Sequence, residues 1–120
     1  MVSFKLAKLL KEKGFDEVTG KYWAKINQSD LEVVLNKDWM IHKWNSLNKP
    51  IWSAPTIAEV VMWLYEKHDI WIWVERCSTQ FRPYAEEIGD ERFGKWEGHK
   101  YNSPTEAYEA AITFIVEKHL

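Results

Sequence analysis

The sequence predicts an α+β fold in two layers, with three helices on one side of a largely antiparallel sheet of about five strands, in the order α-β-β-α-β-β-β-α. Three observations predict it. Helix-start residues recur at Ser3, Thr56 and Ser103, each followed by an apolar pattern with helical spacing. Between those starts lie segments that alternate, or run apolar, in the β manner, and polar turn residues divide them. The third is bulk composition: 120 residues, 46% apolar and 28% charged, with five Gly and four Pro, suit a single globular domain over 1–120 and not a disordered chain.

The first helix spans 3–13, with Leu6, Leu9, Leu10 and Lys13 on one side, Ser3 as N-cap and Gly14 as the stop. Tyr22–Ile26 and Leu31–Leu35 then alternate around Asn27-Gln28-Ser29-Asp30, which predicts a hairpin. In Asn36–Pro55 no period persists, and tryptophans sit among lysines. Its length favours a functional or mobile segment, and a short strand around Trp39–Lys43 is the plainer account. Thr56 and Glu59 form a capping box for a second helix ending near His68-Asp69, whose middle, VVMWLY, is apolar on every side and needs a second surface to shield it. Ile70–Glu75, Thr79–Ala85 and Arg92–Tyr101 follow as a three-stranded meander. The last helix has Ser103 as N-cap, Pro104 at its first position and Glu106 completing another capping box, with Ala107, Ala111, Phe114 and Ile115 inward. The likeness of APTIAEVVMWLYEKH to SPTEAYEAAITFIVEKH shifts its offset along its length, so it reads as shared capping grammar and not as duplication.

Charge is divided along the chain. Residues 1–50 hold nine Lys against six acidic side chains, a balance of +3, whereas 51–120 hold seven bases against twelve acids, a balance of −5. Such an overall acidic balance argues against a dedicated duplex-DNA binder, which concentrates basic side chains to neutralise phosphates. The longest wholly apolar run, Val60–Tyr65, falls far short of the roughly 20 residues of a membrane span. Lysines thread the N-terminal apolar residues instead of preceding them, which is no secretory pattern. FKLAKLLKEK resembles a helix lying on a membrane surface, but a lysine-decorated helix over a small core has the same pattern. Cys77 is the only cysteine, which excludes an internal disulfide and fits a reducing cytoplasm.

KLAKLLKEKGFDE (Lys5–Glu17), APT followed by WLYEKHDIWIWV (Trp63–Val74), and YNSPTEAYEAAI (Tyr101–Ile112) together resemble a family of short uncharacterised proteins of phages and prophages of gut bacteria. Residues 22–54 and 75–100 do not carry the resemblance. The shared residues are caps, core positions and strand starts, so it implies a small accessory protein of a phage or its bacterial host and transfers no functional site.

The chemistry-bearing residues are scattered. His42, His68, Cys77, His99 and His119 include no close-spaced ligand pair of the zinc type, so no metal or other cofactor is expected. Cys77 beside Arg76 would serve as a nucleophile only with a histidine such as His99 alongside; a lone cysteine near a strand end is more often a small packed hydrophobe. Glu86, Glu87, Asp90 and Glu91 fit no calcium loop and read as a solvated turn. No catalytic residue is assigned, and the expectation is a non-enzymatic protein.

The strand Ile70–Glu75 carries the sharper expectation. Ile70, Ile72 and Val74 share one side, and Trp71, Trp73 and Glu75 the other, with the two indoles roughly 6–7 Å apart. β-branched side chains suit packing onto helices, so the indoles are expected to face outward. With Trp96, Arg76, Arg82 and Tyr84 from the same or neighbouring strands, they would form an aromatic face interleaved with guanidinium groups. Such a face can be covered by the 36–55 segment, by a second copy in a homodimer, by a different protein, or by stacked single-stranded bases. The reading adopted is an interaction module that self-associates or holds a protein partner through this face; the alternative is single-stranded nucleic-acid binding.

Overall fold

The computed structural model describes residues 1–17, 19, 21–26, 30–35, 45, 51–88 and 95–120. Their order is α1 (Phe4–Glu12), β1 (Lys21–Ile26), β2 (Asp30–Leu35), β3 (Ile51–Ser53), α2 (Ile57–His68), β4 (Ile70–Cys77), β5 (Gln80–Glu87), β6 (Lys95–Glu97) and α3 (Pro104–His119). The fold is α+β with antiparallel pairing. The described strands form two three-stranded sheets, β2-β1-β3 and β4-β5-β6, where one sheet of about five strands was expected. The difference comes from β3, at the end of the segment read as irregular, which occupies the second edge of β1 and closes that sheet locally. The strand expected around residues 39–43 lies outside the described residues. Two compact units result, Met1–Thr56 and Ile57–Leu120.

In the first unit, α1 is bounded as its sequence dictates. Ser3 Oγ accepts from Leu6 N at 3.3 Å, satisfying a backbone N–H that the helix start would otherwise orphan. At the other end Gly14 has φ +89°, and Phe15 N reaches Leu10 O at 2.9 Å while Gly14 N reaches Lys11 O at 3.3 Å, a Schellman closure. Leu6, Ala7 and Leu10 are buried, whereas Lys5 and Lys8 are exposed. Across the sheet Trp23 pairs with Trp52, and Phe4 of α1 meets both rings edge-on, at centroid distances of 5.7 and 5.0 Å. Lys11 Nζ lies 5.7 Å from the Trp52 ring centroid, and partial burial lowers its pKa.

In the second unit, β4 and β5 form a hairpin in register from Ile70↔Glu87 to Cys77↔Gln80, and β6 adds to β5. The two-residue loop takes positive φ at its first residue, Ser78 (φ 60°), as a type II′ turn requires. Helix α2 ends at His68, and Asp69 adopts φ 56°, the left-handed stop that turns the chain directly into β4. Ser103 Oγ accepts from Glu106 N at 3.2 Å at the start of α3. That helix packs on β4 and β5 through a face that buries Ala107, Ala111, Ile112, Ile115 and Val116. Alternation then decides the sheet's faces. Ile70 and Ile72 are 3% and 1% exposed and Ala85 is fully buried, whereas Trp71 is 40% exposed. The aliphatic side turns to α3 and the indoles to the opposite face, as the alternation within β4 predicts.

Candidate interaction surface

Residues directly opposite one another in an antiparallel sheet project to the same face. Trp73 faces Tyr84 and then Glu97, Trp71 faces Glu86 and then Lys95, and Glu75 faces Arg82. The outer face therefore collects Trp71, Trp73, Arg82 and Tyr84 from the expected set. It also holds four charged residues that the sequence reading did not place there or placed without a role: Glu75, Glu86, Lys95 and Glu97.

Two expected members lie elsewhere. Trp96 pairs with Ala85, a position of the inner face, and stacks on Phe114 of α3 with centroids 4.6 Å apart and planes 11° from parallel. It closes the helix layer over the sheet and is no part of an outer surface. Arg76 shares parity with Ile72 and Val74, so it stands at the far end of the inner side, where its Nε donates to Ser78 O at 2.9 Å and stabilises the hairpin turn.

At the middle of the outer face, the Trp73 and Tyr84 rings are 5.2 Å apart with planes 11° from parallel. The Lys95 ammonium sits 5.4 and 5.5 Å from their centroids, within cation–π range of both. Trp73 Nε1 donates to Glu75 Oε1 at 3.4 Å. Arg82 Nη1 forms a 2.6 Å ion pair with Glu97, while its Nε is buried without a hydrogen-bond partner. Partial burial raises the Tyr84 pKa; the Glu75 and Glu97 carboxylates add to the rise and Arg82 opposes it. Two cations against three carboxylates leave this face slightly negative.

A second set of residues joins the first at the edge of the sheet. Tyr65 of α2 meets Trp71 edge-on at 5.4 Å. With Met62 and Ile88 these rings line a groove of about 420 Å³. Met62, Tyr65, Trp71 and Ile88 are 40–46% exposed and account for four of the five exposed large hydrophobic residues among those described. The apolar middle of α2 signalled that something must cover it, and the uncovered part is here. Ile88 was hidden in the acidic segment after β5, and only the hydrogen bond from its N–H to Asp69 O, at 2.7 Å, reveals that it lies beside the start of β4.

The other polar candidates do not converge. Cys77 is half-buried opposite Gln80 at the hairpin end, its Sγ 4.0 Å from Glu75 O. His99 is exposed beyond β6. Among the described residues no three His, Cys, Asp or Glu side chains come together in a way that could hold a metal, and no helix is long and apolar enough to cross a membrane. Trp39, Trp44, His42, Asp90 and Glu91 lie outside the described residues. Compared with known proteins, the chain matches no family model, no curated protein and no solved structure.

Proposed function

We propose that this chain is a small non-catalytic accessory protein of a phage or its bacterial host, working as an interaction module that self-associates through the surface centred on Trp71. The observation that carries the reading is the convergence of Met62, Tyr65, Trp71 and Ile88 in one groove beside the Trp73–Tyr84 stack. Large exposed apolar patches are uncommon on monomeric proteins, and aromatic rings are the side chains that anchor contacts when water is excluded from them. Polar groups around the patch complete the pattern of an apolar centre with a charged rim.

Single-stranded nucleic acid fits this surface less well. Stacking platforms for bases are flanked by cations that follow the phosphates. Here Lys95 already lies over the Trp73 and Tyr84 rings, Arg82 is paired with Glu97, and carboxylates outnumber cations. The phage origin rests on the resemblance of Lys5–Glu17, Trp63–Val74 and Tyr101–Ile112.

The test is solution mass by sedimentation over a wide concentration range, for the wild type and for Trp71→Ala/Trp73→Ala. Association that disappears in the double variant, with thermal stability nearly intact, supports the reading. A wild type that stays monomeric at every concentration sinks it. Quenching of tryptophan fluorescence by an oligonucleotide at low salt, reversed steeply by added salt, would replace it with the nucleic-acid alternative.

A further inference from the structure

The backbone of β4 is as informative as its side chains. Ile88 N donates to Asp69 O, and these residues continue the β4–β5 register as a directly opposed, hydrogen-bonded pair. Such pairs alternate with pairs whose backbone groups point away from the partner strand. Trp71, Trp73, Glu75 and Cys77 therefore bond to β5. The N–H and C=O groups of Ile70, Ile72, Val74 and Arg76 point off the other side of β4. Contacts on the far side of β5 agree with this phase, since Gly98 N donates to Pro83 O and Phe81 and Tyr101 exchange backbone bonds. Among the described residues β4 ends its sheet, and no described strand pairs with those outward groups.

Natural edges are usually blunted by proline, bulges or charge. From Ile70 to Val74 this edge has none of them, and the exposed Met62, Tyr65, Trp71 and Ile88 lie beside its first half. We propose that the self-association inferred above, on which this step rests, occurs by antiparallel pairing of β4 with β4 of a second copy. A two-fold axis beside Trp73 would make one six-stranded sheet from two three-stranded ones.

Pairing that satisfies the outward groups must oppose members of the set Ile70, Ile72, Val74 and Arg76, which leaves a few registers. An axis at Ile72 sets Asp69 opposite Glu75 of the second copy, acid on acid. An axis at Val74 pushes Ile70 past the end of the partner strand, opposite Ser78 of the hairpin turn, and leaves Ile72 facing Arg76. The axis at Trp73 opposes Ile72 with Val74, Ile70 with Arg76, Trp71 with Glu75, and Trp73 with its own copy. Aliphatic then meets aliphatic at the two central hydrogen-bonded pairs, and the two indoles meet between them at a non-hydrogen-bonded position, where opposed side chains are closest. It also brings the second copy's hairpin end, around Cys77, beside the groove at Trp71.

Amide exchange of the full chain at low and high concentration tests this. The amides of Ile70, Ile72, Val74 and Arg76 should exchange quickly in the monomer and at least tenfold more slowly once copies associate. Val74→Pro removes one outward N–H without touching the β4–β5 bonds, so it should yield a folded monomer by sedimentation and circular dichroism. If Val74→Pro does not fold, the wild-type exchange decides alone. Edge amides already slow in the monomer, or still fast in the associated state, overturn the pairing. If association survives Val74→Pro but not Trp71→Ala/Trp73→Ala, the edge mechanism fails while the aromatic surface stands. A wild type that never associates removes both.

Discussion

The two faces of the β4-β5-β6 sheet are built from the same strands and solve burial differently. On the inner face, Ile70, Ile72 and Ala85 lose nearly all contact with water beneath α3, and the Trp96–Phe114 stack closes the layer. On the outer face, Trp73 is only half-covered, by Tyr84 and the Lys95 ammonium, and Trp71 remains 40% exposed. Fold stability should therefore reside in the aliphatic parity of β4 and association in its aromatic parity.

The comparison breaks most directly at Ile72. Its side chain is 1% exposed, so Ile72→Ala should destabilise the protein by about 2–5 kcal/mol, as lost apolar burial adds to an unfilled cavity. A urea titration showing less than about 1 kcal/mol would place the core elsewhere. Gly98→Ala probes the same face through its rim. A Cβ there would lie 2.6 Å from the Trp96 ring and 2.8 Å from Pro83 Cγ. Neither the ring stacked on Phe114 nor the proline ring yields readily, so a loss of about 1–3 kcal/mol is expected. The outer-face counterpart, Trp71→Ala/Trp73→Ala, should cost within about 1 kcal/mol of monomer stability while abolishing association. Equal damage to both properties would erase the distinction between the faces. Arg82→Ala should change stability by no more than about 1 kcal/mol, because an exposed ion pair contributes little and the substitution also removes a buried, unpartnered Nε.

How far this division was legible in the sequence depends on the range of the interactions that set it. Capping at Ser3 and Ser103, the Gly14 stop and the outward turn of Trp71 and Trp73 are local, and each was readable from a few residues. Arg76 was readable too: counting steps of two from Ile72 places it inward. Trp96 was not, because its face depends on the register between β5 and β6, set by residues far apart in sequence. In retrospect its place between Lys95 and Glu97 was a weak signal, since one apolar residue flanked by charges suits a strand with its apolar side down. The split into two sheets was hidden for the same reason. Three residues, Ile51–Ser53, are too few to show a period, and their pairing with β1 is a long-range choice.

His68 offers the smallest effect and a sign that can be worked out. It ends α2 with its ring 4.7 Å edge-on from Trp63, and partial burial lowers its pKa below the ordinary 6.5, with the Asp69 carboxylate pulling the other way. The folded state then prefers the neutral ring. Above pH 6.5 both folded and unfolded chains hold it neutral and nothing is lost; as pH falls below 6.5 the unfolded chain takes up a proton first, so stability declines until the folded pKa is passed. His68→Phe keeps a ring against Trp63 and removes the titration. Urea midpoints measured from about pH 8 to pH 5, wild type minus variant, isolate this group, because every other side chain is common to the two proteins. The difference should turn against the wild type on acidification. A wild type that instead gained on the variant would mean that the Asp69 charge outweighs burial, and that the end of α2 favours the imidazolium, as a helix C-terminus exposed to water would.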